Sequence, residues 1–139
     1  MSTEKRLRVI VVDDQEAVCE VVSETIRFAG HEIVGTARDG VEAVARAEEL
    51  RPDLVVMDIL MPRMNGVDAM HAILEAGTAR RVLLMSGEFR STGMTMEDLY
   101  RNGAAGFLEK PFDVKHLFDM LDRWSEETDE PKASVAERN

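Results

Sequence analysis

Leu54-Val55-Val56-Met57 is a continuous apolar run of four residues, bounded by Arg51-Pro52-Asp53 on one side and by an aspartate on the other. A run this short and this uniformly apolar fits a strand buried on both faces, as in a parallel sheet. Asp58 arrives at the carboxyl end of that strand. A carboxylate there is costly to bury unless something pairs with it. Met61-Pro62 and Asn65-Gly66 then carry the chain away in an irregular loop. Ligands of open α/β sheets sit just outside the carboxyl ends of the strands. Asp58 is therefore placed for chemistry rather than for packing, although alone it also reads as a surface acid ending a strand.

The same pattern recurs along the chain. Leu7 to Val12 reads as a first strand and ends in Asp13-Asp14. A helix from about Gln15 to Ala29 follows, with Val18, Val22, Thr25, Ile26 and Ala29 on one face and Gly30 as its stop. Glu32 to Ala37 is a second strand, and Asp39-Gly40 turns into a helix over Gly40 to Leu50 with Val41, Val44 and Ala47 inward. Val67 to Ala76 is a third helix. Val82 to Met85 is a fourth strand, ending at Ser86-Gly87. Gly87 to Thr95 has two glycines and little periodicity; a connection of this kind usually takes 2–6 residues. Met96 to Asn102 is a short helix, Ala105 to Leu108 a weak fifth strand, and Glu109-Lys110-Pro111 follows it. Asp113 caps a last helix with Val114, Leu117, Phe118, Leu121 and Trp124 as its apolar set. Strands alternating with helices predict a parallel sheet covered on both faces, a three-layer α/β domain.

The 139 residues suffice for one ordinary domain. We expect an N-terminal tail over 1–6, a domain over 7–127 and a polar, frayed tail over 128–139. A net charge of -10 makes phosphate-neutralising contact with nucleic acid a poor expectation and suits a protein partner or a cation. The single cysteine, Cys19, excludes an internal disulfide and a cysteine-built zinc site, and reads as a packing residue. No apolar run approaches the roughly 18 residues of a membrane span. The first residues lack the apolar core of a signal peptide, so the expected location is cytoplasmic. His31, His71 and His116 read as surface or half-buried residues.

Four polar sites thus fall at carboxyl ends of strands: Asp13-Asp14, Asp58, Ser86 and Lys110. Three carboxylates brought together repel, which raises at least one pKa without compensation. A divalent cation resolves the conflict, and oxygen donors with no histidine or cysteine nearby favour magnesium, with manganese as the substitute. Lys110 supplies a movable positive charge and Ser86 a hydroxyl. Such a set can hold the oxygens of a phosphoryl group carried on one carboxylate. Each member also has a plainer reading: a solvated helix N-terminus for Asp13-Asp14, a turn for Ser86, an exposed cation for Lys110.

Val-Val-Asp-Asp at 11–14, Met-Asp-Ile-Leu-Met-Pro at 57–62, Asn-Gly at 65–66, Met-Ser-Gly at 85–87 and Gly-Phe-Leu-Glu-Lys-Pro-Phe at 106–112 stand in order at coherent spacings. With them the chain, over roughly Leu7 to Glu127, resembles the receiver domain of two-component response regulators. The resemblance implies a flavodoxin-like five-stranded parallel sheet of order 2-1-3-4-5 with five helices; a chemotaxis member of that family is a standard example of the order. It implies Asp58 as phosphate acceptor, Asp14 as a direct magnesium ligand, Asp13 as one acting mainly through water, and the Leu60 backbone carbonyl as a third protein ligand. It implies that Ser86 and Lys110 bind the phosphoryl oxygens, that Lys110-Pro111 is cis, and that the Phe107 ring turns inward as the Ser86 hydroxyl moves. Phe107 also suits a plain core aromatic.

Further expectations rest on that resemblance. Leu60 borders the water that attacks the acyl phosphate and cannot hydrogen-bond it, so autodephosphorylation should be slow; Glu88 should oppose this by ordering water or metal. The 87–95 segment should be mobile and order on phosphorylation. A sensor histidine kinase or phosphotransfer protein is expected upstream, near Gln15 and Cys19 on the first helix. Residues Thr95 to Glu127 hold eight acids and four bases, which suits a downstream protein target on the fourth helix, fifth strand and fifth helix rather than DNA. The chain is expected to act as a monomer or a phosphorylation-dependent dimer, either alone or cut from a longer regulator. Two other readings are a magnesium-dependent phosphatase with an aspartyl nucleophile and a phosphorylation-independent scaffold. Such phosphatases usually carry Asp-x-Asp after the first strand, whereas here it reads Asp-Asp-Gln. The complete set of acids, hydroxyl and lysine argues against a scaffold.

Overall fold

The computed structural model describes residues 6–127. β1 (Arg8–Val12), β2 (Glu32–Ala37), β3 (Leu54–Asp58), β4 (Arg81–Ser86) and β5 (Gly106–Glu109) form one parallel sheet of order β2-β1-β3-β4-β5. The helices are α1 (Glu16–Phe28), α2 (Gly40–Leu50), α3 (Gly66–Ala76), α4 (Met96–Arg101) and α5 (Val114–Glu126). This is the flavodoxin-like three-layer arrangement, with the strand order expected above. Of the tails expected over 1–6 and 128–139, residues 1–5 and 128–139 lie outside the described residues.

The apolar runs make the sheet because successive side chains point to opposite faces. Ile10, Val12, Val55, Met57, Val82 and Leu84 pack with α2, α3 and α4 residues in one core. Val9, Val11, Leu54, Val56, Leu83 and Met85 pack with α1 and α5 in the other. Each fully buried aliphatic side chain contributes about 1.5–3 kcal/mol. A charge at Val56, which is wholly buried, would break this central strand.

Helix starts follow local chemistry. Asp39, Asn65, Thr95 and Asp113 each cap a helix by accepting a backbone N–H, at α2, α3, α4 and α5 respectively. Thr95 and Asp98 form a reciprocal capping box. Gly77 ends α3 in the left-handed conformation.

Several expectations need correction. Val41 and Val114 are exposed, not inward. Both sit in the first turn of their helix; α2 turns Gly40, Ala43 and Ala47 inward, with Val44 half-buried against the same core. Met120, absent from the expected apolar set of α5, is buried. His31 is buried rather than at the surface, because its Nδ1 accepts the Leu7 backbone N–H at 3.0 Å. The 87–95 segment contains a 3-10 turn, Phe89–Thr92, closed by its own hydroxyls: Ser91 Oγ donates to the Glu88 carbonyl and Thr92 Oγ1 to the Phe89 carbonyl. Serines and threonines that bond nearby backbone replace helical periodicity here.

Candidate functional site

Sheet register brings the polar strand ends to one level. Val12 pairs with Met57, and Asp58 pairs with Met85. Asp13 and Asp58, one residue on from the first pair, therefore emerge side by side. Ser86 pairs with Glu109, so Lys110 leaves β5 just beyond the serine. The ladder continues past the strands: Asp13 N–H donates to the Ala37 carbonyl, Ile59 N–H to Met85 and Lys110 N–H to Ser86. The Lys110-Pro111 bond is cis.

Asp13, Asp14 and Asp58 offer carboxylate oxygens that all lie within 4.8 Å of one another. Asp13 and Asp58 are buried, and Asp14 is open to solvent. Lys110 Nζ donates to Asp13 Oδ2 at 2.8 Å and lies 3.5 Å from Asp58 Oδ2. Ser86 is wholly buried, and its Oγ accepts the Glu88 N–H at 3.1 Å. Asp14, Gln15, Asp58, Leu60, Ser86, Gly87, Glu88 and Lys110 line one cavity of about 280 Å³. The expected neighbours Leu60, Gln15 and Glu88 are thus walls of it. Cys19 packs in the core beneath α1, with Sγ 3.8 Å from the Val11 carbonyl.

The electrostatics follow from this crowding. Burial, above all, pushes Asp58 up to about 6; Asp13 and Asp14 add to the rise and Lys110 counters it. Burial alone would depress Lys110, but its bond to Asp13 and the Asp58 charge outweigh that and raise it. Three acids against one lysine leave net negative charge on oxygen donors only. That donor set fits a hard divalent cation such as magnesium, which prefers carboxylate and water oxygens. One lysine and one buried hydroxyl on the same cavity leave donors for an anion beside such a cation.

Phe107 is buried, and its ring packs against Phe89 with centroids 4.6 Å apart. Phe89 was not legible as a neighbour of the site, because it comes from the 3-10 turn. Two glycines were also missed as site-builders. A side chain on Gly66 would meet the Asp58 carbonyl at 2.3 Å, and one on Gly40 the Met64 carbonyl at 2.2 Å. Both glycines let helix starts press against the loop that follows Asp58. The Asn-Gly pair was read as a turn and as part of the family pattern, with no structural role given to its glycine.

Residues 9–122 match the response regulator receiver domain family. The chain is 36% identical over 118 residues to chemotaxis protein CheY of Thermotoga maritima, covering 85% of this chain and 97% of that protein. It spans only 32% and 55% of two longer curated relatives. Among solved structures, the response regulator domain of Thermotoga maritima CheB superposes with a TM-score of 0.78 at 32% identity, over 90% of this chain and 99% of that one. CheY in a CheX-CheY-BeF3-Mg complex from Borrelia burgdorferi gives 0.74 at 29% identity, over 83% and 86%. Among the described residues no helix is long and apolar enough to cross a membrane. The apolar strands, the acids gathered at their carboxyl ends and the match over most of the chain make this protein a member of the response regulator receiver domains of two-component signal transduction.

Proposed function

We propose that this domain accepts a phosphoryl group on Asp58 from a phosphohistidine of a sensor kinase or phosphotransfer protein, and that the modified domain engages a protein target. The observation carrying this reading is the convergence of Asp13, Asp14 and Asp58 with Lys110 on one cavity. An Asp58 oxygen attacks phosphorus as the P–N bond breaks, and the imidazole leaves with a proton from solvent. Asp13, Asp14, Asp58 and the Leu60 carbonyl would hold magnesium, or manganese in its place. Held there, such a metal would supply positive charge against the phosphoryl oxygens and the acids. Lys110 exchanges part of its contact with Asp13 for a phosphoryl oxygen, and Ser86 turns its hydroxyl toward another. The mixed complex of the Borrelia relative, which contains BeF3 and magnesium, supports the pairing of a metal with a phosphoryl-like group.

Output follows from what moves with Ser86. The hydroxyl now accepts from Glu88 N–H, and Glu88 precedes the turn whose Phe89 covers Phe107. Turning Ser86 inward releases that N–H and shifts the 87–95 segment and α4. Met96 and Tyr100 of α4 are exposed and, with β5 and α5, offer a face for a protein partner rather than nucleic acid. A cytoplasmic monomer, or a dimer formed on phosphorylation, fits this use.

Incubation with acetyl phosphate tests the reading. Stoichiometric, acid-stable and base-labile labelling that needs magnesium and disappears in Asp58→Ala is the expected result. Labelling that persists in Asp58→Ala, or no labelling with either metal, overturns it.

A further inference from the structure

Arg63 holds a backbone conformation unusual for its type. Its φ is +67°, in the left-handed region, which a side chain with a Cβ reaches at a cost of about 1–2 kcal/mol. Glycine or asparagine would sit there with less strain. The arginine instead reaches across 24 positions of sequence to Asp39, with Nε and one terminal nitrogen each 2.9 Å from Asp39 Oδ2. An ion pair with so exposed a cation offsets at most about 1 kcal/mol. Net stability therefore does not explain the arrangement.

Position does. Asp39 is buried and uses both oxygens: Oδ1 accepts the Glu42 N–H at 2.8 Å to cap α2, and Oδ2 takes Arg63. Its carboxyl lies below the usual range, first through the Glu42 N–H and then through Arg63. Next door, Gly40 N–H donates to the Met64 carbonyl at 3.1 Å, in the close approach that only glycine permits. The start of α2 thus grips residues 63 and 64 by a side-chain pair and a backbone bond. The other end of this loop is held by Ile59 N–H on Met85 and Gly66 N–H on Ile59. Leu60, a wall of the acidic cavity, lies between the two anchors.

We propose that the Arg63–Asp39 pair is a positioning clamp that fixes the 59–65 loop against α2 and so sets the affinity of the acidic cavity for magnesium. This rests on the magnesium-dependent reading above, with the Leu60 carbonyl as a ligand. Neither residue touches the metal; both act through the loop backbone, as outer-shell groups do at other metal sites.

The test uses the full chain and magnesium alone, by titration calorimetry. Asp39→Asn keeps a capping oxygen for Glu42 and loses the ion pair. Arg63→Asn keeps a residue that tolerates left-handed backbone. Each should weaken magnesium about tenfold, with melting temperature changed little. The double variant should be no weaker than either single one, because one interaction is removed twice. Arg63→Lys should recover most of the affinity. Amide exchange at Met64 and Gly66 should quicken in the metal-free single variants. Affinities within about twofold of the parent, or additive losses in the double variant, overturn the clamp. A parent that takes no magnesium overturns the functional reading instead; the clamp then falls separately if metal-free exchange at Met64 and Gly66 does not change.

Discussion

Lys110 Nζ is bonded to Asp13 at 2.8 Å, closer than its 3.5 Å approach to the proposed acceptor Asp58. The lysine therefore spends its charge on the wholly buried acid of the cluster. Removing it leaves the acids without their one cation, and the site becomes a stronger trap for a divalent ion. Lys110→Ala should bind magnesium several-fold more tightly than the parent, while taking label from acetyl phosphate more slowly. Chelator should expose a stability loss of about 1–3 kcal/mol, from the unpaired buried acid, that magnesium largely restores. Titration calorimetry and urea unfolding with and without EDTA read both effects.

The raised Asp58 pKa gives a pH signature to the metal-free protein. Asp58 titrates near 6 when folded, against the ordinary 3.8 when unfolded. The native state therefore binds this proton more strongly, and the stabilisation is complete below about 3.8 and lost as pH rises through 6. Lowering pH from 7.5 to 5 in EDTA should stabilise the parent relative to Asp58→Asn by about 1 kcal/mol, in a cavity partly open to water. Comparing the two proteins removes groups that shift the other way, such as Asp39. Parallel pH profiles for parent and variant would refute the assignment.

The strand ends were legible because the fold and the site are written in the same residues. Val9 to Val12 and Leu54 to Met57 are apolar on both faces, and the first polar residue after each, Asp13 or Asp58, falls at or just past the carboxyl end of its strand. Part of what was not legible depends on contacts distant in sequence, and part on local geometry that periodicity does not carry. Arg63 and Asp39 are 24 positions apart, and nothing local announces their pairing. Val41 fits the helical period but lies exposed in the first turn of α2, so periodicity misplaces it. Thr92 looks like loop composition, yet its hydroxyl both donates to Phe89 and accepts from Met94 N–H. His31 resembles a surface residue until the Leu7 N–H is found on its ring.

Leu60 is exposed and forms part of the cavity wall. Water approaching a phosphoryl group on Asp58 would pass an aliphatic surface there and find no hydrogen-bond partner. Leu60→Asn adds one. A single net hydrogen bond is worth about 1 kcal/mol, roughly fivefold in rate. Loss of label from the purified phosphoprotein should be faster in the variant by about that factor. Glu88 is on the same cavity, and Glu88→Ala should slow the loss. An unchanged lifetime in Leu60→Asn would count against a water-excluding role.

Phe89 ties the turn after Ser86 to the aromatic ring of β5. Its ring meets that of Phe107 at 4.6 Å with a 40° tilt, in the range where aromatic pairs gain about 0.5–1.5 kcal/mol beyond area burial. Phe107 is buried beneath it, so the two rings link β5 to that turn. A movement of Ser86, whose Oγ accepts the Glu88 N–H, would reach that turn directly. Phe89→Ala should cost about 1–3 kcal/mol, less than the loss of a fully buried phenylalanine, because Phe89 is only half-buried. Magnesium-dependent labelling of Asp58 should survive, since Phe89 is not a wall of the cavity. The change in amide exchange across Met96–Arg101 on addition of beryllofluoride should shrink. Full transmission to α4 in the variant would show that the two rings are packing alone.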